Sequence, residues 1–325
     1  MQFRTEIKLE KAKYPISVRH DILTMGSCFS DAIGNKLAEN KFNTRINPFG
    51  TTYNPVSIHK LIRAALNNAY PASHSYIEHN GLFSHFDFHS SFSNPEKEVI
   101  EERVKSTIRE LNTFLKTAHW IMITYGTSFV YKRNDTGDIV ANCHKVPGQN
   151  FTKELLSEKK IVESFAGFYQ NLKAVNPSCK IILTVSPVRH VKDSIPLNGV
   201  SKAILRTACH TITEQYPEVT YFPVYEIMMD DLRDYRFYKS DMLHPTAVAE
   251  EYIWKKFSET SFDKPTQEFL THWKQIHAAL NHKPFHNSSD SHQAFLQKLL
   301  TDLQGLRGTV NVDAEIASVK AQLHE

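Results

Sequence analysis

The sequence predicts an α/β protein: a three-layer α/β/α sandwich around a parallel sheet of roughly five strands, with a helical C-terminal appendage. Short apolar runs alternate with segments whose apolar residues have helical spacing, an order typical of parallel sheets covered by helices on both faces. After residue 262 this alternation stops and only helical patterns follow. With 325 residues, of which 41% are hydrophobic and 22% charged, the chain can bury a core.

The apolar runs and the helical spacings predict the individual elements. Strands are predicted over Asp21–Met25, His119–Tyr125, Lys180–Val185 and Val219–Phe222. Helices are predicted over 31–40, 57–66, 96–116, 161–175 and 201–216. The segment Arg45–Gly50 is expected to be a loop, and residues 70–94, rich in Ser, His, Phe and Asn, an insertion at the edge or mouth of the sheet.

The C-terminal region is predicted to be a separate helical part. Helical patterns over 266–280, 292–306 and 314–323 are interrupted by the turn-forming segment Lys283–Asp290. We therefore expect two domains, residues 1–261 and 262–325. The second is expected to serve packing or to associate two copies of the chain.

Charge and composition exclude several classes of protein. The net charge of 38 − 35 = +3 does not favour nucleic acid as a partner. No apolar run reaches the roughly 20 residues that cross a bilayer, and the charged start lacks the apolar stretch of a secretory signal. The four cysteines form no CxxC pair and are too scattered for a disulfide framework. These features predict a reduced, cytoplasmic protein.

No cofactor or metal is expected. The candidate ligands His85, Asp87, His89 and His144 match no established zinc spacing.

The first segment with reactive side chains is GSCFS, residues 26–30, directly after the first strand. Gly26 permits a tight turn, and the next residues then lie at a helix N-terminus, where free amides and the helix dipole activate a nucleophile and stabilise an oxyanion. The alternative is an ordinary strand-to-helix turn with an N-cap serine. Either Ser27 or Cys28 could be the nucleophile.

The second segment is SDMLHPT, residues 240–246, before the last helix of the first domain. Asp241 and His244, three residues apart, can share a loop in which the carboxylate holds the imidazole Nδ1–H and leaves Nε2 as a base. An Asp and a His at this spacing often occur together by chance. Their combination with a nucleophile turn after the first strand is a much more specific indication of a catalytic site.

Together these segments resemble the SGNH (GDSL-like) hydrolase superfamily: ILTMGSCFS its opening motif and DMLHPT its closing Asp-x-x-His motif. The chain is more similar still to the GSCFA-domain family, found largely in bacteria, although Ser30 replaces the final alanine of GSCFA. NPFGTTYNPVSI (47–58), YGTSFVY (125–131), NCHKVP (142–147) and SPVRH (186–190) also resemble that family. The resemblance extends over roughly residues 15–260.

The resemblance implies a role for each motif residue. An ungapped register places Cys28 at the nucleophile, a thiol that would form a thioester, while a shift by one residue would select Ser27. Superfamily oxyanion donors would correspond to Gly50 and to Ser128, which stands where an asparagine is usual; Asn142 could supply that amide instead. Arg189 and His190 are expected to face the same mouth, where Arg189 could bind an anionic group.

The expected activity is ester hydrolysis or acyl transfer through a covalent acyl-enzyme, without a cofactor. By analogy with the superfamily, the substrate is expected to be a small acyl ester of a carbohydrate or related metabolite. Two alternatives remain: an inactive binding or scaffold protein on the same fold, and a thiol-based redox role for Cys28.

Overall fold

The structure is a computed structural model that describes residues 5–282 and 289–323. It is an α/β fold whose central parallel sheet has five strands in the order β10-β9-β5-β1-β2. The strands are β1 (Asp21–Gly26), β2 (Asn43–Ile46), β5 (Trp120–Tyr125), β9 (Lys180–Val185) and β10 (Val219–Tyr221). The predicted fold class is therefore confirmed.

Two small antiparallel sheets lie outside the central one. A hairpin pairs β3 (Ile77–His79) with β4 (Leu82–Ser84) in the predicted insertion. A second sheet orders β6 (Phe129–Arg133), β7 (Ile139–Val140) and β8 (Phe151–Leu155) as β7-β6-β8. Neither the second sheet nor β2 was predicted. The expectation that Arg45–Gly50 is entirely loop is wrong for its first two residues, which end β2, a short edge strand whose exposed residues alternate along the chain.

Helices connect the strands and cover the sheet. Their bounds are α1 (Cys28–Glu39), α2 (Pro55–Leu66), α3 (Lys97–Leu115), α4 (Glu158–Val175), α5 (Ile195–Gln215), the single turn α6 (Val224–Glu226) and α7 (Ala247–Ser261). A π-helical turn, Ile227–Asp231, follows α6. The helix α5 starts six residues before the predicted Ser201 because Ser194 caps it and Pro196 stands in its first turn.

The main core lies on one face of the sheet. Alternate residues of β1, β5 and β9 pack there against α2–α5, among them Leu23, Ile123 and Leu183. On the other face Gly34 of α1 approaches Thr24 so closely that a Cβ would lie 2.6 Å from the threonine Oγ1. Helices on both faces of a parallel sheet give the three layers.

The described residues group into two compact units. The first comprises residues 21–35 and 44–254 with the short segment up to Lys8, and holds the central sheet. The second comprises residues 9–20, 36–43 and the chain from Lys255 onward. The division of domains at residue 261, and association of two copies through the C-terminal helices, stay predictions.

The second unit contains the predicted C-terminal helices, α8 (Lys264–Leu280), α9 (Asp290–Leu306) and α10 (Asp313–Leu323). Within it the Trp273 indole N–H donates to the Glu39 carbonyl at 2.8 Å, and Lys41 pairs with Glu315. Most of the predicted interruption, residues 283–288, lies outside the described residues. Within the described ranges no helix is both long enough and apolar enough to cross a membrane.

His59 is a fully buried core histidine in the first unit. Its Nε2 lies 2.7 Å from the Tyr125 hydroxyl and its Nδ1 lies 2.9 Å from the Ser164 hydroxyl, while its ring stacks on Phe168. Burial lowers the pKa of His59 to about 3. The folded protein therefore keeps this imidazole neutral at acidic pH, whereas the unfolded chain protonates it below about 6.5.

Stability is therefore expected to fall as the pH drops from 6.5 to 5, by up to ~1.4 kcal/mol per pH unit from this group. Urea unfolding at both pH values measures the loss, and His59→Gln, which keeps a donor and an acceptor, should reduce it. An unchanged slope in His59→Gln would contradict the assignment. Above pH 6.5 the free energies of unfolding of His59→Gln and of the wild type should change with pH in the same way.

Candidate active site

The order of the strands locates a crevice at the carboxyl edge of the sheet. From β1 the chain proceeds to β2 on one side, while β5 lies on the other side of β1. The chain leaves β1 towards β2 and leaves β5 towards β9, so the loops that follow these two neighbouring strands run in opposite directions. The crevice between such loops is where ligands of open α/β sheets bind. Cys28 follows β1 and Gly126 follows β5, so the sequence motifs GSCFS and YGTSFVY both begin at this crevice.

The turn after β1 distinguishes the two candidate nucleophiles. Ser27 is 0% exposed, and its hydroxyl is buried without a hydrogen-bond partner. Its backbone N–H donates to the Thr124 carbonyl at 3.1 Å, which holds the turn against β5. Cys28 is half-buried and is the first residue of α1. The thiol is therefore the more accessible group.

Several neighbours determine the acidity of the Cys28 thiol. Burial raises its pKa most, and the Asp31 carboxylate raises it further. The backbone amides of Cys28 and Phe29 and the Lys202 ammonium oppose this rise. The balance leaves the pKa above its ordinary value, so the resting side chain is a thiol that needs a base. The redox alternative loses support, because redox-sensing cysteines have a low pKa.

The segment NPFGTT (47–52) is tied to the nucleophile turn by an asparagine. The Asn47 side-chain carbonyl accepts from the Gly26 N–H at 2.8 Å, and its amide donates to Asp31 at 2.7 Å. The Thr52 N–H also donates to the Gly26 carbonyl, at 2.9 Å. Asn47 and Asp31 were not predicted as site residues, although the NPFG motif contains the first of them.

The three predicted oxyanion donors have other contacts. The Gly50 N–H donates to the Asn47 carbonyl at 2.7 Å, within a turn where φ is +77° and a Cβ would lie 2.3 Å from His89. Ser128 is fully buried, and its hydroxyl donates to Ser201. These two residues are brought to the crevice loops, but the contacts do not support oxyanion binding by either.

Asn142 lies in a turn of its own. Its side-chain oxygen accepts from the His144 N–H at 2.9 Å, and its backbone N–H donates to Phe86. His144 in turn lies 2.9 Å from the His85 carbonyl. Among the described residues, none of these contacts joins Asn142 to the nucleophile turn, and its role as a donor stays a prediction.

The predicted pair of the closing motif is hydrogen-bonded. The Nδ1 of His244 lies 2.7 Å from a carboxylate oxygen of Asp241, with the two side chains 41% and 45% exposed. The other carboxylate oxygen accepts from the backbone N–H groups of His244 and Leu243. These backbone bonds, with the imidazole, lower the pKa of Asp241 to about 2. A charged Asp241 thus fixes the ring by Nδ1 and leaves Nε2 for proton transfer.

Tyr53 and His190 connect the surroundings of the thiol with those of the histidine pair. The rings of Tyr53 and His190 meet edge to face, 5.4 Å apart. Burial raises the pKa of Tyr53, and a charge on Cys28 raises it further. Burial, followed by the charges of Lys202 and His244, lowers the pKa of His190 to about 4. Within the described part of the chain, no hydrogen bond joins Cys28 directly to His244, so proton transfer requires His244 to approach or a bridging water.

A cavity of about 370 Å³ opens beside the histidine loop. Its lining consists of aromatic, arginine and methionine side chains with acidic residues: Arg189, Met228, Met229, Asp230, Leu232, Arg233, Asp234, Tyr235 and Tyr238. The Arg189 guanidinium lies 4.7 Å from the Tyr238 ring centre and donates to the Tyr238 hydroxyl at 3.2 Å. Tyr238 forms a β-bridge with Pro245, the neighbour of His244.

Across residues 5–282 and 289–323, no three histidine, cysteine or acidic side chains are grouped so as to hold a metal ion. His85 and Asp87, two of the candidates weighed from the sequence, are 3.8 Å apart without further ligands.

Comparisons with known proteins agree with the motifs. The model of the family described as GSCFA matches residues 21–257. A second model, described as the C-terminal domain of GSCFA domain proteins, matches residues 273–325, a region in which the sequence motifs showed no resemblance. No protein with a curated functional description matches the chain significantly.

One solved structure with some likeness is an acetyl xylan esterase from the rumen bacterium Butyrivibrio proteoclasticus. The two chains are 12% identical, with a TM-score of 0.29. The alignment covers 81% of this chain and 66% of the esterase. That likeness is too slight to transfer a fold or an activity.

Proposed function

Because the chain belongs to the GSCFA family, whose motifs here resemble those of SGNH hydrolases, we propose that it is an ester hydrolase or acyltransferase with Cys28 as its nucleophile. One observation carries the proposal. His244, hydrogen-bonded to Asp241, acts electrostatically on His190, whose ring contacts Tyr53, and Tyr53 in turn is influenced by Cys28 at the start of α1. Nucleophile, base and orienting carboxylate are the three parts that acyl transfer needs.

The acylation step follows from these positions. His244 Nε2 takes the proton of the Cys28 thiol, and the sulfur attacks the ester carbonyl carbon while the carbonyl electron pair moves to oxygen. The tetrahedral adduct then expels the alcohol, which takes the proton from His244, and a thioester remains. Water or a second alcohol attacks the thioester in the reverse sequence and frees Cys28. Asp241 stabilises the imidazolium through its 2.7 Å contact with Nδ1.

The backbone amides at the start of α1 are the donors that best suit the oxyanion. The N–H groups of Cys28 and Phe29 lower the pKa of the Cys28 thiol, so they lie close to the sulfur that attacks the ester. First-turn amides of a helix have no acceptor within that helix. They take the place of Gly50 and Ser128, whose hydrogen-bonding groups are used elsewhere.

The cavity beside Tyr238 suits the substrate class that the resemblance implied. A volume of about 370 Å³ accommodates a small metabolite. Tyr235 and Tyr238 offer faces on which a sugar ring can pack, and Arg189 offers a guanidinium for an anionic substituent. We therefore propose a small acyl ester of a carbohydrate or related metabolite as substrate.

A binding protein without turnover is the second candidate. It is favoured by the raised pKa of the Cys28 thiol, together with the contacts that occupy the predicted oxyanion donors. A protein that kept the cavity but lost catalysis would show both features. Trapping of an acyl-enzyme separates the two candidates.

Brief exposure to p-nitrophenyl acetate, followed by peptide mapping by mass spectrometry, is expected to place an acetyl group on Cys28. Cys143 is an internal control, since it is also half-buried with a pKa raised by burial but lies outside the proposed site. Labelling of Cys28 should exceed that of Cys143 and should depend on His244, and Ser27→Ala should retain it.

Two outcomes would contradict the thioester proposal. An acetyl group on Ser27 that persists in Cys28→Ala would identify a serine esterase. No adduct at either residue, without ester turnover, would support the binding protein.

A further inference from the structure

Lys202 is a buried lysine for which the acyl-transfer scheme has no use. It lies on α5, and its side chain is 1% exposed. Its Nζ donates hydrogen bonds of 2.8 Å to the carbonyl oxygens of Gly126 and Ser186. A buried ammonium loses its hydration, and two carbonyl dipoles compensate for only part of that loss. A lysine at such a position therefore needs an explanation.

Strand register places this ammonium at the same carboxyl edge of the sheet as the nucleophile. In the sheet Gly26 is paired with Thr124, and Tyr125 with Val185. Cys28 is the second residue after β1, Gly126 is the first after β5, and Ser186 is the first after β9. The two carbonyls that hold Lys202 thus belong to the end of β5, which is next to β1, and to the end of β9, which is one strand further along the sheet.

Charged and titratable groups surround the pair from several elements. Asp31 of α1 faces the thiol and disfavours its ionisation, and Tyr53 lies on the same side. His190 lies near Lys202, and the Tyr225 ring centre is 6.0 Å from its Nζ. Burial lowers the pKa of Lys202 to about 7, while a thiolate at Cys28 would raise it. Lys202 is the cation that opposes Asp31 at the sulfur.

We propose that Lys202 is a positioning residue that stabilises negative charge on the Cys28 sulfur, through an ammonium held by the Gly126 and Ser186 carbonyls. The catalytic relevance of this charge rests on the proposed function. A buried cation supplies positive potential at the same edge of the sheet.

A purely structural role is the alternative, since Lys202 ties the ends of β5 and β9 together. A structural link between the two strands acts through hydrogen bonds at any pH. Stabilisation of negative charge on the Cys28 sulfur stops when the Lys202 ammonium loses its proton. The pH dependence of Cys28 reactivity distinguishes the two roles.

The experiment measures iodoacetamide alkylation of Cys28 against pH by peptide mapping, in the intact chain. Lys202→Met removes the charge, and Ser201→Ala is the matched control that removes the hydroxyl bonded to Ser128 while leaving the charge in place. We expect Lys202→Met to alkylate about tenfold more slowly at pH 6, equivalent to about one pKa unit. The difference should shrink above pH 7, where Lys202 is neutral, and Ser201→Ala should follow the wild type. A folded Lys202→Met with the wild-type profile would overturn the proposal.

A second measurement needs no variant at Lys202. In His244→Ala, where that histidine cannot contribute, the alkylation rate of Cys28 is expected to level off near pH 7. Above this pH the amine–thiol and ammonium–thiolate forms carry equal numbers of protons, so their ratio does not change. Cys143 should show an uninterrupted rise. A Cys28 rate that rises through pH 7 as Cys143 does would also overturn the proposal.

Neither measurement uses an ester. Loss of ester turnover with an intact Lys202 effect would therefore refute the proposed function alone. Ester turnover without the Lys202 effect would refute this inference alone.

Discussion

His244→Ala is expected to lower kcat/KM for an activated acetyl ester by about 10²–10⁴-fold, the contribution typical of a general base. The fold should persist, because the His244 side chain is 41% exposed and its hydrogen-bond partner is Asp241 on the same loop. The backbone bond from the Lys239 N–H to the His244 carbonyl does not involve the side chain. Steady-state turnover and thermal unfolding on the same preparations check both expectations.

The matched control is His210→Ala, an exposed histidine on α5 outside the site. It should leave kcat/KM and the melting temperature unchanged. His244→Ala with full activity would show that His244 is not the base, whatever the state of Asp241.

His190 is the rival base within reach of the same crevice. Its Nε2 is buried and has no hydrogen-bond partner, and its ring touches that of Tyr53. Burial, with Lys202 and His244, lowers its pKa to about 4, so it stays neutral and able to accept a proton down to that pH. Loss of activity in His190→Ala but not in His244→Ala, with an acid limb of kcat/KM near pH 4, would assign the base to His190.

The central strands could be predicted from the sequence because their residues are buried on both faces. β1, β5 and β9 are nearly continuous apolar runs, and the structure places each within a residue of its prediction. The strands β2, β6 and β8 consist mostly of half-buried or exposed residues, and their mixed polar sequences resemble loops. Local hydrophobicity does not distinguish such a strand from a turn.

The candidate site also has a part that the sequence could predict and a part that it could not. Asp241 and His244 are three residues apart, so their contact is local and could be inferred from spacing. Lys202 and Gly126 are 76 residues apart, and no local pattern joins them. A signal did exist in α5, where the buried positions recur at helical spacing: Asn198, Ser201, Lys202, Leu205, Ala208, Cys209 and Ile212. A lysine on the buried face of a helix is a site candidate, because burial of its charge is costly.

Gly26→Ala is expected to have the largest effect on stability and to displace the nucleophile. Gly26 has φ of +139°, a conformation that favours glycine. A Cβ there would lie 2.2 Å from the Thr124 carbonyl oxygen, a strand-paired backbone atom that cannot move alone. Either the β1–β5 pairing or the turn to Cys28 must shift, so we expect destabilisation of about 3–5 kcal/mol together with loss of Cys28 acylation.

Gly199→Ala is the matched control for this substitution. Gly199 is an exposed residue of α5, and a Cβ there would meet no atom within 4 Å. Alanine in a helix is favoured over glycine by about 0.5–1 kcal/mol, so this variant should be as stable as the wild type or slightly more so. Urea unfolding gives both free energies, and acetyl labelling of Cys28 reports the position of the nucleophile. A Gly26→Ala protein with wild-type stability and labelling would show that the turn tolerates a side chain, and that the close approach to Thr124 does not set the position of Cys28.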